Sequence, residues 1–295
     1  MRLGILTPVV TALPRAHGPW EMDAGPAGLL AVAQAADTLG YHHLTCSEHI
    51  AIPVRAAQVR GGRYWDPVAT FGFLAAATER ISLTAYVVVL PYHHPLAIVK
   101  RYATVDELSG GRLVLGVGVG TLRREFDLLG APFEGRGERS DDAIRALRAS
   151  FGRPEPEYAG SHYQFSGMVV DPCGPRQDVP IWVGGSTARS LRRAVELGDG
   201  WIPFGIQPDE LGRMIARARD TEAWSAREAP LEMVLAPDLP LDPLDAPQRA
   251  LELASSLVEV GATIVNVRFE ARSASHCIEQ LRAMAELSGL GTAAP

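Results

Sequence analysis

Glu48 and His49 follow directly on the strand-like run His43-Leu44-Thr45-Cys46-Ser47. A histidine at a strand end suits proton transfer near neutral pH, and a charged neighbour is one means of tuning it. Adjacent strand residues point to opposite faces, so a purely structural histidine fits the same pattern. A second stretch, Gly184-Gly185-Ser186-Thr187, combines two glycines, two hydroxyls and the opening of a helix. Free backbone N–H groups and a favourable dipole at that point suit a phosphate, and an ordinary Ser or Thr cap accounts for the same residues. The third stretch runs from Asp106 to Gly120, where Gly110 and Gly111 stop a helix, Arg112 to Val117 is of strand length, and Gly116, Gly118 and Gly120 alternate with valines. One face of that strand end carries no side chains, which admits either a flat ligand or tight packing. A dinucleotide fingerprint needs a helix at the third glycine, whereas Thr121-Leu122-Arg123-Arg124-Glu125 follows and the next clear helical pattern starts near Gly137.

Other chemistry has little support. His42-His43 and His93-His94 are adjacent pairs that cannot both face one metal from a strand, and no His-Glu-x-x-His or Gly-x-Ser-x-Gly motif occurs. Lys100, the only lysine, falls in a predicted helix, which disfavours a Schiff-base mechanism. Cys46, Cys173 and Cys277 are odd in number and widely spaced, as in a reducing compartment.

The elements that position these groups alternate regularly. Strands are predicted at 2–7, 43–47, 81–90, 112–117, 180–183, 201–204, 231–235 and 263–269. Helices are predicted between them from Pro26 to just before Gly40, from Asp66-Pro67 to about Glu79, from His94-Pro95 to the stop at Gly110, at 139–151, from 187 to near Gly198, from 208 to about 225, at 245–260 and at 275–287. Residues 153–180 break the rhythm with prolines and glycines, and 158–165 reads as a hairpin inserted between the fourth helix and the fifth strand. Eight strand–helix units indicate an α/β fold, a (β/α)8 TIM barrel in a single domain spanning 1–295, with a doubly wound sheet as the competing topology. In a barrel the strand exits carry the chemistry, which selects Glu48, His49, the stretch around Tyr86 to Tyr92, Gly118-Val119-Gly120 and Gly184 to Thr187.

The chain has 295 residues, 47% apolar and 21% charged, with a net charge of −6. That composition suits a globular protein and offers no basic cluster for nucleic acid. The opening Met1 to Pro8 is too short in its apolar part for a signal peptide, and no run approaches the roughly 18 apolar residues of a membrane span. A cytoplasmic protein without a membrane or nucleic-acid partner is expected.

Leu90-Pro91-Tyr92-His93-His94-Pro95, Ala103 to Arg112 and Leu115 to Gly120 resemble the luciferase-like monooxygenase superfamily. With Phe133-Glu134-Gly135-Arg136, Ile181 to Gly185 and Gly198-Asp199-Gly200-Trp201 they are similar to its coenzyme F420-dependent oxidoreductase branch. The similarity covers most of residues 1–205, and the remainder shares only architecture.

The resemblance implies a flavin or deazaflavin across the strand ends. Glu48-His49 stands where the branch more often has Asp-His beside the ring. Tyr86-Val87 is the nearest match to a non-proline cis peptide that supports the ring. Gly118, Val119 and Gly120 match the segment on the cofactor tail, and Gly184, Gly185, Ser186 and Thr187 match its phosphate end. The expected activity is hydride transfer between coenzyme F420 and a small organic substrate, with His49 as proton donor or ring-positioning group. An FMN-dependent two-component monooxygenase is the alternative, and a non-redox lyase or isomerase of a phosphorylated substrate, or a non-catalytic cofactor-binding protein, remains open. A homodimer is the assembly the resemblance implies.

Overall fold

The computed structural model describes residues 1–14 and 16–290. Eight parallel strands form its centre: Arg2–Ile5 (β1), His43–Cys46 (β2), Ser82–Ala85 (β3), Leu113–Gly118 (β4), Ile181–Gly184 (β5), Gly200–Ile202 (β6), Glu232–Leu235 (β7) and Ile264–Val267 (β8). Each pairs with its neighbours in sequence, and β8 returns to β1 with Leu3 opposite Val265. The sheet is therefore closed, a (β/α)8 TIM barrel as expected, and the doubly wound alternative is excluded.

Eight helices surround it: Gly25–Leu39 (α1), Pro67–Ala75 (α2), Pro95–Ser109 (α3), Arg136–Arg148 (α4), Ala188–Leu197 (α5), Pro208–Arg219 (α6), Pro247–Val260 (α7) and Ala274–Ser288 (α8). Their ends follow the local sequence. Asp66 caps α2 by accepting the Ala69 N–H at 2.9 Å, and Gly110 ends α3 at φ 69°. α8 lies against α1, and the Tyr41 hydroxyl after α1 donates to the Leu281 carbonyl at 2.8 Å, tying the last helix to the first unit.

The main core fills the layer between strands and helices, while Val114, Trp182, Ile202, Val234 and Ile264 pack inside the barrel. Gly4 makes room there for an imidazole, since a Cβ on it would fall 2.1 Å from His43 Cε1.

Several boundaries differ from expectation. α2 stops at Ala75 rather than near Glu79, because the Asp37 carboxylate on α1 takes the N–H groups of Glu79, Arg80 and Ile81 at 3.0, 2.8 and 2.6 Å and pulls that segment out of the helix. The third strand is not continuous over 81–90. It breaks at Tyr86 and Val87, which are joined by a cis peptide bond at the place the resemblance implied, and resumes as Val88–Val89 beside β4. A short helix, Arg123–Leu129, stands where only loop was expected, and another, Val54–Arg60, lies in the loop after β2. The stretch 208–225 holds two helices, because Thr221 caps a separate turn, Glu222–Ser225.

The insertion is present. Tyr158–Ala159 pairs antiparallel with Gln164–Phe165. The Asp142 carboxylate of α4 secures it by accepting from the Tyr158 hydroxyl at 2.6 Å and from the N–H groups of His162 and Tyr163 at 2.7 and 2.9 Å.

Candidate active site

The carboxyl ends of the strands enclose a cleft of about 390 Å³. Of the eleven residues singled out from sequence, it gathers Glu48, His49, Tyr86, Val87, Gly118, Val119, Gly120, Gly184 and Gly185 along its walls. Ser186 and Thr187 are exposed and lie outside the lining. Thr187 is the N-cap of α5: its hydroxyl accepts the Ser190 N–H at 3.3 Å, and its own N–H donates to Ser190 Oγ at 3.2 Å. For that residue the cap accounts for both polar groups. Lys100 lies on α3 and donates to the Asp171 carbonyl of the insertion, so it is no strand-end nucleophile.

His49 owes its orientation to a residue the sequence reading passed over. Its Nδ1 lies 2.7 Å from Glu125 Oε2, on the short helix after β4. Glu125 is almost wholly buried and also accepts from the Tyr92 hydroxyl at 2.9 Å and from the N–H groups of Ile50 and Ala51 at 2.7 and 3.2 Å. Burial alone raises that carboxyl, but the hydrogen bond and charge of His49 and the two backbone donors outweigh it and hold it below its ordinary 4.5. With Nδ1–H committed to this acceptor, Nε2 is the ring nitrogen left to meet a ligand. The Tyr64 ring packs edge-on against the imidazole at 4.6 Å.

Glu48 is not the carboxylate that touches His49. Its two oxygens are taken by the Val89 N–H at 2.8 Å and His93 Nε2 at 2.8 Å, so it anchors the strand that follows the break in β3. The two neighbours, in the loop just past the end of β2, point to different partners.

The glycines at the exits of β4 and β5 have a packing role. A Cβ on Gly118 would meet Val87 Cγ2 at 2.6 Å, and one on Gly184 would meet Val87 Cγ1 at 2.8 Å. A Cβ on Gly116 would strike the Ala85 carbonyl oxygen at 2.0 Å. The space beside this face of β4 and β5 belongs to the turned segment 85–87 rather than directly to a ligand. That segment is fixed by the Tyr86 N–H on the Cys46 carbonyl at 2.8 Å and by Ser47 Oγ donating to the Tyr86 carbonyl at 2.7 Å. Burial pushes the Tyr86 phenol up to about 12.

Two further charged residues line the cleft. Arg60 donates to Thr121 Oγ1 at 3.1 Å near its edge. Arg268, just past β8, bonds the buried Glu21 carboxylate through Nη2 at 2.6 Å. Arg268 was legible in principle, since Asn266 and Arg268 interrupt Ile264-Val265-Asn266-Val267-Arg268 at the period of two that marks one strand face.

A closed barrel with an oriented imidazole and a ligand-sized cleft at its strand ends defines a TIM-barrel protein of the cofactor- or substrate-binding kind. The model of the luciferase-like monooxygenase family matches residues 1–289, and the chain belongs to that family. It is similar to an uncharacterized protein of Mycobacterium tuberculosis, 30% identical over 214 residues, 68% of this chain and 74% of the relative. A putative coenzyme F420-dependent oxidoreductase of the same species is 29% identical over 171 residues, 54% of this chain and 48% of that protein. Among solved structures, the FMN-bound oxygenating constituent of 3,6-diketocamphane monooxygenase from Pseudomonas putida superposes with a TM-score of 0.73 at 15% identity, over 100% of this chain and 99% of that one.

Proposed function

We propose that this protein is a coenzyme F420-dependent oxidoreductase that moves a hydride between the deazaflavin and a small organic substrate. The observation that carries the reading is the Glu125–His49 pair beside the 85–87 segment in one cleft of about 390 Å³. The residues fit a flat polycyclic group. Val87, wedged where Cβ atoms on Gly118 and Gly184 would clash, offers an apolar support, and His49 Nε2 supplies one polar contact. Val119, Gly120 and Gly185, which line the cleft beyond Val87, would hold the cofactor tail, and exposed Ser186 lies just outside that lining. When bound, the deazaflavin supplies hydride chemistry, while the protein contributes position and electrostatics.

Within the chain, Glu125 holds His49 by Nδ1, so that Nε2 gives or takes the proton accompanying hydride transfer or hydrogen-bonds the ring. Glu48 acts at one remove by fixing Val89 and the segment before it. F420 is favoured over FMN because the F420-named relative is similar in sequence, at 29% identity, whereas the FMN-bound structure at 15% identity shows the fold alone. The test is a parallel fluorescence titration with F420 and FMN, oxidised and reduced. F420 binding at least about tenfold tighter than FMN is expected. FMN preference redirects the reading to a monooxygenase, and binding of neither overturns it.

A further inference from the structure

A second lobe opens from the same cleft. It measures about 320 Å³ and shares Leu6, Leu13, Tyr86, Phe204 and Arg268 with the first. Apart from Asp238 at its edge, its own walls are apolar, among them Ile206, Leu235, Pro237 and Leu239. Arg268 is the one cation that lines it among the described residues.

The state of Arg268 limits what the lobe will accept. The residue is 7% exposed. Its Nη2 is spent on Glu21, its Nε is sealed without a partner, and its Nη1 has no hydrogen bond among the described residues and is not one of the sealed atoms. Nη1, with its two N–H groups, is thus the guanidinium nitrogen left to meet a ligand, on a residue that lines both lobes. Glu21, saturated further by the Val9 and Gly18 N–H groups at 2.9 Å each, already neutralises the guanidinium. A second anion would give the cluster a net negative charge in a low-dielectric site, and exposed Asp238 at the lobe's edge adds to that cost. A neutral acceptor incurs no such penalty and still satisfies the donor.

We propose that this lobe binds the substrate, that the substrate is an uncharged, largely apolar molecule bearing a carbonyl oxygen, and that Arg268 Nη1 is the specificity-determining donor to that oxygen. The assignment rests on the oxidoreductase reading for its meaning, because the neighbouring lobe is the one whose residues would hold the cofactor. With reduced deazaflavin bound, the carbonyl carbon would take its hydride and the oxygen a proton from His49 Nε2, yielding the alcohol and the oxidised cofactor; the reverse reaction would return the hydride to the cofactor and the proton to His49.

The experiment measures binding of three matched probes, cyclohexyl methyl ketone, ethylcyclohexane and cyclohexanecarboxylate, by tryptophan fluorescence to the cofactor-free and F420-loaded protein. The ketone is expected to bind at least about tenfold tighter than either of the others in both forms. R268K, which keeps a charge for Glu21 but has a single nitrogen, should bring the ketone within about threefold of the hydrocarbon, and the neutral pair E21Q/R268M should do the same. A carboxylate that binds more tightly than the ketone, a preference that survives in R268K, or ketone and F420 excluding one another overturns the assignment. Ketone preference without any F420 binding overturns the cofactor reading and leaves the lobe's selectivity standing.

Discussion

Two carboxylates near one imidazole have separate tasks, and their partners set them apart. Glu125 accepts from His49, whereas Glu48 accepts from Val89 and pairs with His93. If His49 Nε2 handles the proton, H49A should lower kcat by about 10²- to 10³-fold with a much smaller change in cofactor affinity; parallel steady-state kinetics and titration would show whether turnover is spared, which sinks the role. E125Q tests the hold on His49 separately. Because the folded carboxyl titrates below its unfolded value, the stability it contributes is full above the ordinary 4.5 and is lost as pH falls through the folded value. The urea midpoint of E125Q should therefore lie well below that of the wild type near neutrality, and the gap should narrow on acidification below 4.5. A gap independent of pH contradicts the assignment. His49 was legible because strand exits are where barrels place chemistry; Glu125 was not, since it meets His49 from 76 residues away on a helix too short to announce itself.

At the scale of elements, the break in β3 is what shapes the cleft. Composition alone reads as strand from Ile81 to Leu90, and it was the family resemblance, with its cis peptide at Tyr86-Val87, that marked the place of the break. The alternating glycines of β4 were visible, and the break explains two of them: Gly116 clears the Ala85 carbonyl, and Gly118, with Gly184 of β5, leaves room for the Val87 methyl groups. A Cβ at 2.6 Å from Val87 Cγ2 forces the segment to move, so G118A should cost about 1–3 kcal/mol by urea unfolding and weaken cofactor binding. Shortening the opposing side chain relieves the clash, and V87A/G118A should be more stable than G118A alone despite the loss of two methyl groups. If the two changes simply add, the contact is not what the glycine serves.

For the whole molecule, the count of eight units made closure readable, and the proline- and glycine-rich interval 153–180 marked the insertion. How the insertion is tied to the barrel was not readable, because the tie joins residues 70 apart in sequence. Arg176 near the end of the insertion reaches Asp106 in α3, with Nε on Oδ2 at 3.0 Å and Nη2 on Oδ1 at 2.9 Å. Asp106 is fully buried and also accepts the Leu113 N–H at 3.0 Å, where β4 begins. Insertion, helix and barrel strand thus share one carboxylate. Removing Arg176 strips that buried charge of its cation and leaves it one backbone donor, a change that costs about 3–5 kcal/mol when a pair is broken from one side. R176A should therefore lower the global urea midpoint as a single transition, rather than merely open the insertion to protease. R176M/D106L, which removes both charges, should recover much of the loss. Proteolysis confined to 153–180 with an unchanged midpoint would instead show an appendage whose stability is independent of the barrel.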